Sequence, residues 1–215
     1  MNYEQFWKYM ELGGSIMWII LALSVLAVAI FIERLIFFVI SSGDLKSLKK
    51  ALAGVSDDEP YGPGPVKAKG SVRSLFFAAC ECWELDDEKL EARLKREARR
   101  ELYRWERRLP LLEVIVRAAP LLGLLGTVLG MLEMFASMSV GGGVNARAVT
   151  DGIWKALLTT VAGLSVAIPA LAAHSFLVGM IDKEEEKLER GSGFIMDKRA
   201  EHSRFSHEPK TGRKM

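Results

Sequence analysis

The sequence predicts an all-α integral membrane protein with three transmembrane helices and long cytoplasmic helical extensions. Of its 215 residues, 50% are apolar and 26% are charged, and the mean hydropathy is +0.15. Because the two classes separate into alternating blocks, membrane spans are expected rather than one globular core. The net charge is only +2, which argues against a nucleic-acid-binding protein, since such domains are usually strongly basic.

The first apolar block is SIMWIILALSVLAVAIFI, residues 15–32, and it contains no charged residue. At 1.5 Å per residue it spans about 27 Å, near the hydrocarbon thickness of a bilayer. A signal peptide would have a basic segment before a shorter apolar run and a small-residue cleavage site after it, and neither is present. We therefore predict an uncleaved transmembrane helix over 14–40, preceded by a periplasmic segment over 1–13.

Two further apolar blocks lie in the second half of the chain. AAPLLGLLGTVLGML at 118–132 predicts a transmembrane helix over 110–138, and the block that begins at Ala156 predicts a third over 152–181. The glycine-rich stretch 139–151 predicts a short connection between them. Spans two and three are therefore expected to form an antiparallel hairpin.

Basic residues predict the orientation, because lysine and arginine are enriched on the cytoplasmic side of membrane spans. Residues 41–109 hold fifteen of them and residues 182–215 hold nine. Lys8 is the basic residue of the N-terminal segment, and Arg147 is that of the connection. The region 41–109 and the tail 182–215 are therefore expected in the cytoplasm, and the N-terminus and the connection in the periplasm.

The cytoplasmic region combines a linker with an amphipathic helix. Residues 56–71 are rich in proline and glycine and predict the linker. Residues 86–109 carry an apolar stripe at three- and four-residue spacing, with acidic residues first and arginines last. This helix is expected to continue into span two, with Pro110 and Pro120 as kinks. Its charges fit a solvated face better than a surface for RNA or lipid.

The sequence predicts no catalytic or metal site. Cys80 and Cys82 have no nearby cysteine or histidine partners for zinc, and in the cytoplasm they would be free thiols. No nucleophile–base pair or phosphate-binding glycine loop is present, and His202 and His207 lie in the tail. We therefore expect no enzymatic activity, no cofactor and no bound metal ion.

Small and hydroxyl-bearing residues mark one side of each of the last two spans. In span two, Gly123, Gly126 and Gly130 share a face with Thr127. In span three, such residues fall within an arc of about 140°, and most bulky residues lie outside it. The arc contains Gly152, Lys155, Ala156, Thr159, Thr160, Gly163, Ala167, Ala170 and His174. Small faces let helices approach closely in lipid, so both faces are expected to contact protein.

The polar residues in these spans also have purely structural interpretations. A threonine hydroxyl can bond to the backbone carbonyl one turn earlier, and Pro169 can be a tolerated kink. His174 lies near the cytoplasmic end and fits packing better than proton transfer. Lys155, near the outer end, can extend its ammonium to the membrane interface. For this lysine the interfacial and the pore-lining interpretations stay open.

Two motifs, APLLGLLGTVLGMLEMF and DGIWKALLTTVAGLSVAIPALAAHSF, resemble the ExbB/TolQ/MotA family of proton-channel subunits, and ExbB and TolQ most closely. The first span, with its Glu33–Arg34 pair, fits the same family, whereas the linker and tail have no recognisable pattern. MotA fits less well, because it has four spans and a larger cytoplasmic insertion.

The resemblance implies a homopentamer in the bacterial inner membrane, whose second and third helices line a central pore. A dimer of a single-span partner, ExbD or TolR, would occupy that pore and carry the titratable aspartate. Proton flow would then drive a TonB-like transducer for outer-membrane transport, or a TolA-like transducer for the cell envelope. A scaffold for the partner that does not conduct protons is the alternative from another class. Lipid is an expected partner, and nucleic acid is not.

The family's pore threonines match Thr127 and Thr160, and we place Thr159 and Lys155 on the same proton path. The residues expected to serve helix packing are Gly123, Gly126, Gly130, Gly163, Pro120 and Pro169. One departure concerns Lys155, since ExbB and TolQ of the well-known type carry a glutamate there. Either that glutamate is dispensable as a proton carrier, or the pathway is altered, with the lysine paired to an acidic group.

Overall fold

The computed structural model describes residues 3–43, 45–46, 70–83, 85–140 and 146–206, and their regular structure is entirely α-helical. The main helices are α1 (Tyr3–Ser41), α2 (Ser71–Glu81), α3 (Asp87–Glu106), α4 (Leu109–Val140) and α5 (Ala146–Ser206). Three apolar stretches, within α1, α4 and α5, are long enough to cross a membrane. The predicted all-α fold, with three helices long and apolar enough to cross a membrane, is thereby confirmed for this part of the chain. Most of the predicted linker, 56–69, and residues 141–145 of the predicted connection lie outside the described residues, as do 1–2 and 207–215.

The chain divides into two compact units. The first consists of Met1–Leu35 and Arg108–Leu177, and the second of Ile36–Arg107 and Val178–Met215. Helix α5 contributes to both, because it continues through Pro169 and beyond the predicted end of span three at 181.

Helix α1 of the first unit is interrupted at Gly14, where φ is 66° and ψ is −159°. L side chains rarely adopt this backbone conformation, so glycine is favoured here. At the neighbouring Gly13, an added Cβ would lie 2.9 Å from the Cβ of Met17. The interruption separates an N-terminal helical segment from the apolar span, at the residue where the first span is predicted to begin.

Helix α3 ends at Glu106 and α4 begins at Leu109, with Arg107 and Arg108 between them. Arg108 has a φ of 75°, and its guanidinium donates a hydrogen bond to Glu33 of α1. Pro110 lies in the first turn of α4, where its missing N–H removes no helical hydrogen bond. The expectation of one helix running through a kink at Pro110 was therefore wrong. Pro120 does lie inside α4.

The second unit has its own hydrophobic core, formed by α2, α3 and the later part of α5. The fully buried members include Val72, Leu75, Leu90, Leu94, Leu188 and Ile195. The end of α1 joins α3 through Phe38 and Trp105, whose rings stack with centroids 4.6 Å apart.

A buried carboxylate, Glu184, links three parts of the second unit. It is 1% exposed and accepts hydrogen bonds from the Ser71 hydroxyl and, at 2.9 Å, from the Lys187 ammonium. Lys187 also donates to the Ser42 hydroxyl at 3.0 Å. Buried charges are stable only when they are paired in this way. The cluster therefore fixes the start of α2 and the end of α1 to α5.

The backbone at the start of α2 touches the backbone just after α1. Gly70 has a φ of 70°, and a Cβ added to it would lie 2.6 Å from the amide nitrogen of Gly43 and 2.8 Å from the carbonyl carbon of Ser42. No side chain could be accommodated at this contact, so residues 43 and 70 meet through their backbones.

Candidate functional site

Helices α4 and α5 of the first unit approach each other closely enough for their backbones to touch. A Cβ added to Gly163 would lie 2.5 Å from the carbonyl oxygen of Ala119 and 3.1 Å from the Cα of Gly123. A Cβ added to Gly123 would lie 2.9 Å from the carbonyl oxygen of Thr159. The two glycines therefore face each other, and glycine is required at both positions. We call this contact between the two helices the α4–α5 seam.

The seam extends toward the predicted outer end of the spans. A Cβ added to Gly126 would lie 2.6 Å from the Cβ of Thr159, and one on Gly130 would lie 3.4 Å from the Cβ of Ala156. Further along, Gly152 faces Met134, whose Cβ would lie 2.8 Å away. The small face of span two and the small arc of span three thus meet each other within one chain.

Two threonine hydroxyls of α5 converge on one backbone carbonyl of α4. The Thr159 hydroxyl lies 2.8 Å from the Ala156 carbonyl oxygen and 3.3 Å from the Gly123 carbonyl oxygen. The Thr160 hydroxyl also lies 3.3 Å from the Gly123 oxygen. A carbonyl has two lone pairs, so it can accept such a bond in addition to the one within its helix. These contacts add polar links to a seam formed by small residues.

The three threonines differ in how open they are. Thr159 is 1% exposed and is enclosed in the seam. Thr160 and Thr127 are half-buried, and the Thr127 hydroxyl donates to the Leu124 carbonyl of its own helix at 2.7 Å. The structural interpretation of a threonine, a bond to the preceding turn, thus applies to Thr127 and in part to Thr159.

Thr127 and Thr160 lie on the same edge of the seam. At 100° per residue, each is turned by about 60–70° from the centre of the buried face of its helix. Viewed along each helix from its N-terminus, the two side chains are rotated in the same direction. Because α4 and α5 are antiparallel, this rotation places both side chains on one edge of the seam. Leu124 and Leu164, which are exposed, continue that edge on either helix. We call it the threonine edge.

Lys155 lies on the opposite edge, beside α1. Its ammonium Nζ is 2.5 Å from Oε2 of Glu133, and the two side chains are 28% and 65% exposed. A Cβ added to Gly14 of α1 would lie 3.5 Å from Cε and Nζ of the lysine. The structure therefore does not bring Lys155 together with Thr127 and Thr160. Sequence reasoning missed Glu133 as its partner, although both residues lie near the predicted outer ends of their spans.

The remaining predicted site residues occupy structural positions. Pro120 is half-buried in α4, and Pro169 is exposed on α5. Each lacks an N–H, so the carbonyl four residues earlier loses its helical donor. His174 is half-buried near the end of the first unit. By helical position Pro120 lies on the same side of α4 as Thr127, seven residues later, whereas Pro169 lies on the opposite side of α5 from Thr160.

A second ion-pair group adds Arg108 to the Glu33–Arg34 pair seen in the sequence. Arg34 is buried and lies 2.8 Å from Glu33, which also pairs with Arg108. The signal available was the Glu-Arg pair at the end of the first span. These groups join α1 to the start of α4 within the first unit.

The cysteines show no arrangement for chemistry. Cys80 and Cys82 are free and half-buried in the second unit. Burial, and to a smaller extent the charge of Glu81, raises the pKa of the Cys80 thiol, so it stays protonated at neutral pH. In the described ranges no group of three His, Cys, Asp or Glu side chains could hold a metal ion.

Comparison with known proteins places this architecture in a family. The sequence model of the MotA/TolQ/ExbB proton channel family matches residues 68–190, more than half of the chain. That range includes α2, α3, the α4–α5 seam and both threonines of the threonine edge.

Individual relatives agree with the family match. The biopolymer transport protein ExbB of Helicobacter pylori is 46% identical over 79 residues, covering 37% of this chain and 54% of the relative. An ExbB-like 3 protein of Synechocystis is 34% identical over 164 residues, covering 74% and 78%. TolQ of the Tol-Pal system of Haemophilus influenzae is 37% identical over 78 residues, covering 36% and 34%. The chain thus spans about half or less of the length of the Helicobacter and Haemophilus relatives. By its family match and by the extended similarity to the Synechocystis protein, the chain belongs to the MotA/TolQ/ExbB proton channel family.

Proposed function

We propose that this chain is an ExbB-type subunit of a proton channel in the bacterial inner membrane, and that it couples the proton motive force to a TonB-like energy transducer. The observation that carries the proposal is the threonine edge. It places two hydroxyl groups, Thr127 and Thr160, on an open side of the seam, while the neighbouring Thr159 is enclosed. The role is non-enzymatic.

The threonine edge offers groups that can bind water or a carboxylic acid. A hydroxyl donates one hydrogen bond and accepts two. Thr127 uses its proton within α4 and keeps its acceptor sites, whereas the contact of Thr160 to Gly123 is long, at 3.3 Å. The surrounding exposed side chains are apolar, so the two hydroxyls supply the hydrogen-bonding groups on this side of the seam. A titratable aspartate on a partner helix could therefore exchange its proton with water held there.

The rest of the assembly follows the family resemblance. Several copies of the chain, five by resemblance, would surround a dimer of an ExbD-like or TolR-like single-span partner, with the threonine edges turned inward. The broad apolar exposure of α1, α4 and α5 supports burial against lipid and neighbouring copies. We place the N-terminus and the connection between α4 and α5 in the periplasm, and the second unit in the cytoplasm, because basic residues concentrate there.

We propose a structural role for Lys155. Its ammonium is paired with Glu133 on the edge that faces α1, so we propose that it stabilises the helix bundle and does not carry protons. The absence of the family's glutamate at this position then leaves the path along the threonine edge intact.

The test is proton flux into liposomes that contain this chain and its single-span partner. Thr160→Val keeps the shape of the side chain and removes the hydroxyl, and we expect it to lower flux strongly, as Thr127→Val should. Thr159→Val is the matched control, because Thr159 lies one residue away but is enclosed in the seam. Full flux in a variant with both Thr127→Val and Thr160→Val would refute the proposal.

A TolQ-like role in a Tol-Pal envelope motor is the second candidate, and the similarity to TolQ of Haemophilus influenzae favours it. The two roles differ in their transducer. Copurification of the reconstituted complex with a TonB-like or with a TolA-like protein decides between them. Energised transport that persists after proton flow is blocked would instead indicate a scaffold that does not conduct.

A further inference from the structure

Helix α3 presents a basic surface on the side away from its buried residues. Its buried side contains Leu90, Leu94 and Trp105, which pack in the second unit. The opposite side, extended by the residue after α3, carries Arg96, Arg99, Arg100, Tyr103 and Arg107, all exposed. Among the described residues, none of these four arginines forms an ion pair, in contrast to Arg93 and Arg104. We call this surface the basic face.

The later part of α5 presents mainly the opposite charge, although the exposed Lys183 lies beside its carboxylates. Its buried side contains Leu188 and Ile195. Away from it lie Asp182, Glu185, Glu189 and Asp197, which are exposed and form no ion pair with any residue that the structure describes. Glu186 on the same side does pair, with Arg190 at 2.6 Å. We call this surface the acidic face.

Two glycines on the acidic side of α5 have no role in packing within the chain. A Cβ added to Gly179 or Gly193 would meet nothing within 4 Å among the described atoms. Glycine inside a helix costs about 1 kcal/mol relative to alanine, so such positions usually have a packing reason. A second helix that approaches the acidic face closely would supply that reason.

The charges on the two faces repeat at the same interval. Arg100 and Arg107 are seven residues apart, as are Asp182 and Glu189. Seven residues are about two helical turns, or about 10.5 Å, so both pairs project from one side at matched spacing. Arg107 stands just before α4 begins, and Asp182 follows the third span. An antiparallel alignment therefore sets Arg107 against Asp182 and Arg100 against Glu189.

We infer that the basic face of α3 docks on the acidic face of α5 of a second copy of this chain. Each copy carries both faces, so the contact is head-to-tail, and its repetition joins copies into a closed ring if the rotation allows. The arginines and carboxylates, unpaired within the described part of one chain, become partners across the interface. The inference rests on the proposed channel in one respect, namely that several copies surround the partner.

Cross-linking between chains tests the inference directly. Two variants of the full-length chain are made, both with Cys80→Ser and Cys82→Ser. One also carries Arg100→Cys and the other Glu189→Cys. The two variants are coexpressed and oxidised in membranes. We expect a disulfide-linked dimer. The matched control replaces Arg100→Cys by Glu91→Cys, an exposed position of α3 outside the basic face, and should give a yield several-fold lower. Equal yields from the two pairs would overturn the inference.

Charge reversal provides a second, independent measurement. Arg100→Glu with Arg107→Glu should lower several-fold the fraction of purified chain that stays oligomeric in mild detergent. Adding Asp182→Arg and Glu189→Arg should restore it, whereas Lys95→Glu, outside the basic face, should have little effect. If the added substitutions did not restore the oligomer, the inference would be overturned. It would also be overturned if the oligomer were lost only when anionic lipid is removed, because the basic face would then bind lipid headgroups.

Proton flux with the partner, measured on the same samples, separates the two proposals. Proton flux in samples that form no disulfide cross-link would refute the interface between copies but not the proposed channel. A disulfide cross-link in samples that show no proton flux would refute the proposed channel but not the interface.

Discussion

Lys155 is held by two neighbours within its own chain. Its ammonium pairs with Glu133 of α4, and its stem lies against Gly14, at the interruption of α1. A lysine inside an apolar segment is expensive unless it reaches water or an anion, and here it has a carboxylate 2.5 Å away. One side chain thus joins α1, α4 and α5 within the first unit.

Reversing that charge should destabilise the first unit. Lys155→Glu places a second carboxylate beside Glu133, and we expect the loss of attraction and the new repulsion to cost about 1 kcal/mol. The melting temperature in detergent should fall, and Lys155→Glu combined with Glu133→Lys should recover it. Proton flux should survive in the double variant, since neither residue lies on the threonine edge. A melting temperature that is unchanged by the single reversal would contradict the role given to this pair.

At the scale of elements, the α4–α5 seam depends on backbone contact rather than on interdigitated side chains. Gly123 and Gly163 are opposed with no space for a Cβ, while Gly130 has ordinary contact distance to Ala156. Lipid provides no hydrophobic drive for helix association, so this proximity and the threonine contacts to Gly123 hold the pair together. The seam also fixes which side of α5 presents Thr160.

Two alanine substitutions should separate the tight part of the seam from its looser end. In Gly163→Ala the new methyl meets the backbone of Ala119, which cannot rotate away, and we expect a loss of about 1–3 kcal/mol. Gly130→Ala finds room at 3.4 Å and gains helix propensity, so stability should be unchanged or slightly higher. Thermal unfolding of both variants in detergent, with proton flux measured alongside, checks this. Equal losses would show that the seam is uniformly tight.

At the scale of the whole molecule, the second unit is fixed by a polar cluster as well as by its apolar core. Glu184→Leu should leave the Ser71 hydroxyl and the Lys187 ammonium without their buried acceptor, and we expect a loss of about 3 kcal/mol. Glu185→Leu, next to it but exposed, should change stability little. Limited proteolysis of both variants measures the difference. Equal protection from the protease would mean that the buried carboxylate is not a structural link.

The sequence predicted what local periodicity and hydropathy can determine. The predicted second span begins at 110 and α4 begins at Leu109, and the small faces of both spans follow from spacing alone. The turn at Arg108 was not predictable in this way, because its guanidinium is bound by Glu33, 75 residues away. The same holds for Lys155 and Glu133, which are 22 residues apart and meet only when the hairpin closes. Long-range ion pairs therefore account for most of what the sequence did not predict.

The backbone contact between Gly43 and Gly70 has a consequence for the evolution of the chain. The two residues that flank segment 44–69 are in contact, so the length of that segment does not determine where α1 ends or α2 begins. The entropic cost of closing a chain segment grows slowly, by about 0.6 kcal/mol for each doubling of its length. Insertions and deletions within this segment should therefore accumulate among relatives without disturbing the helices on either side.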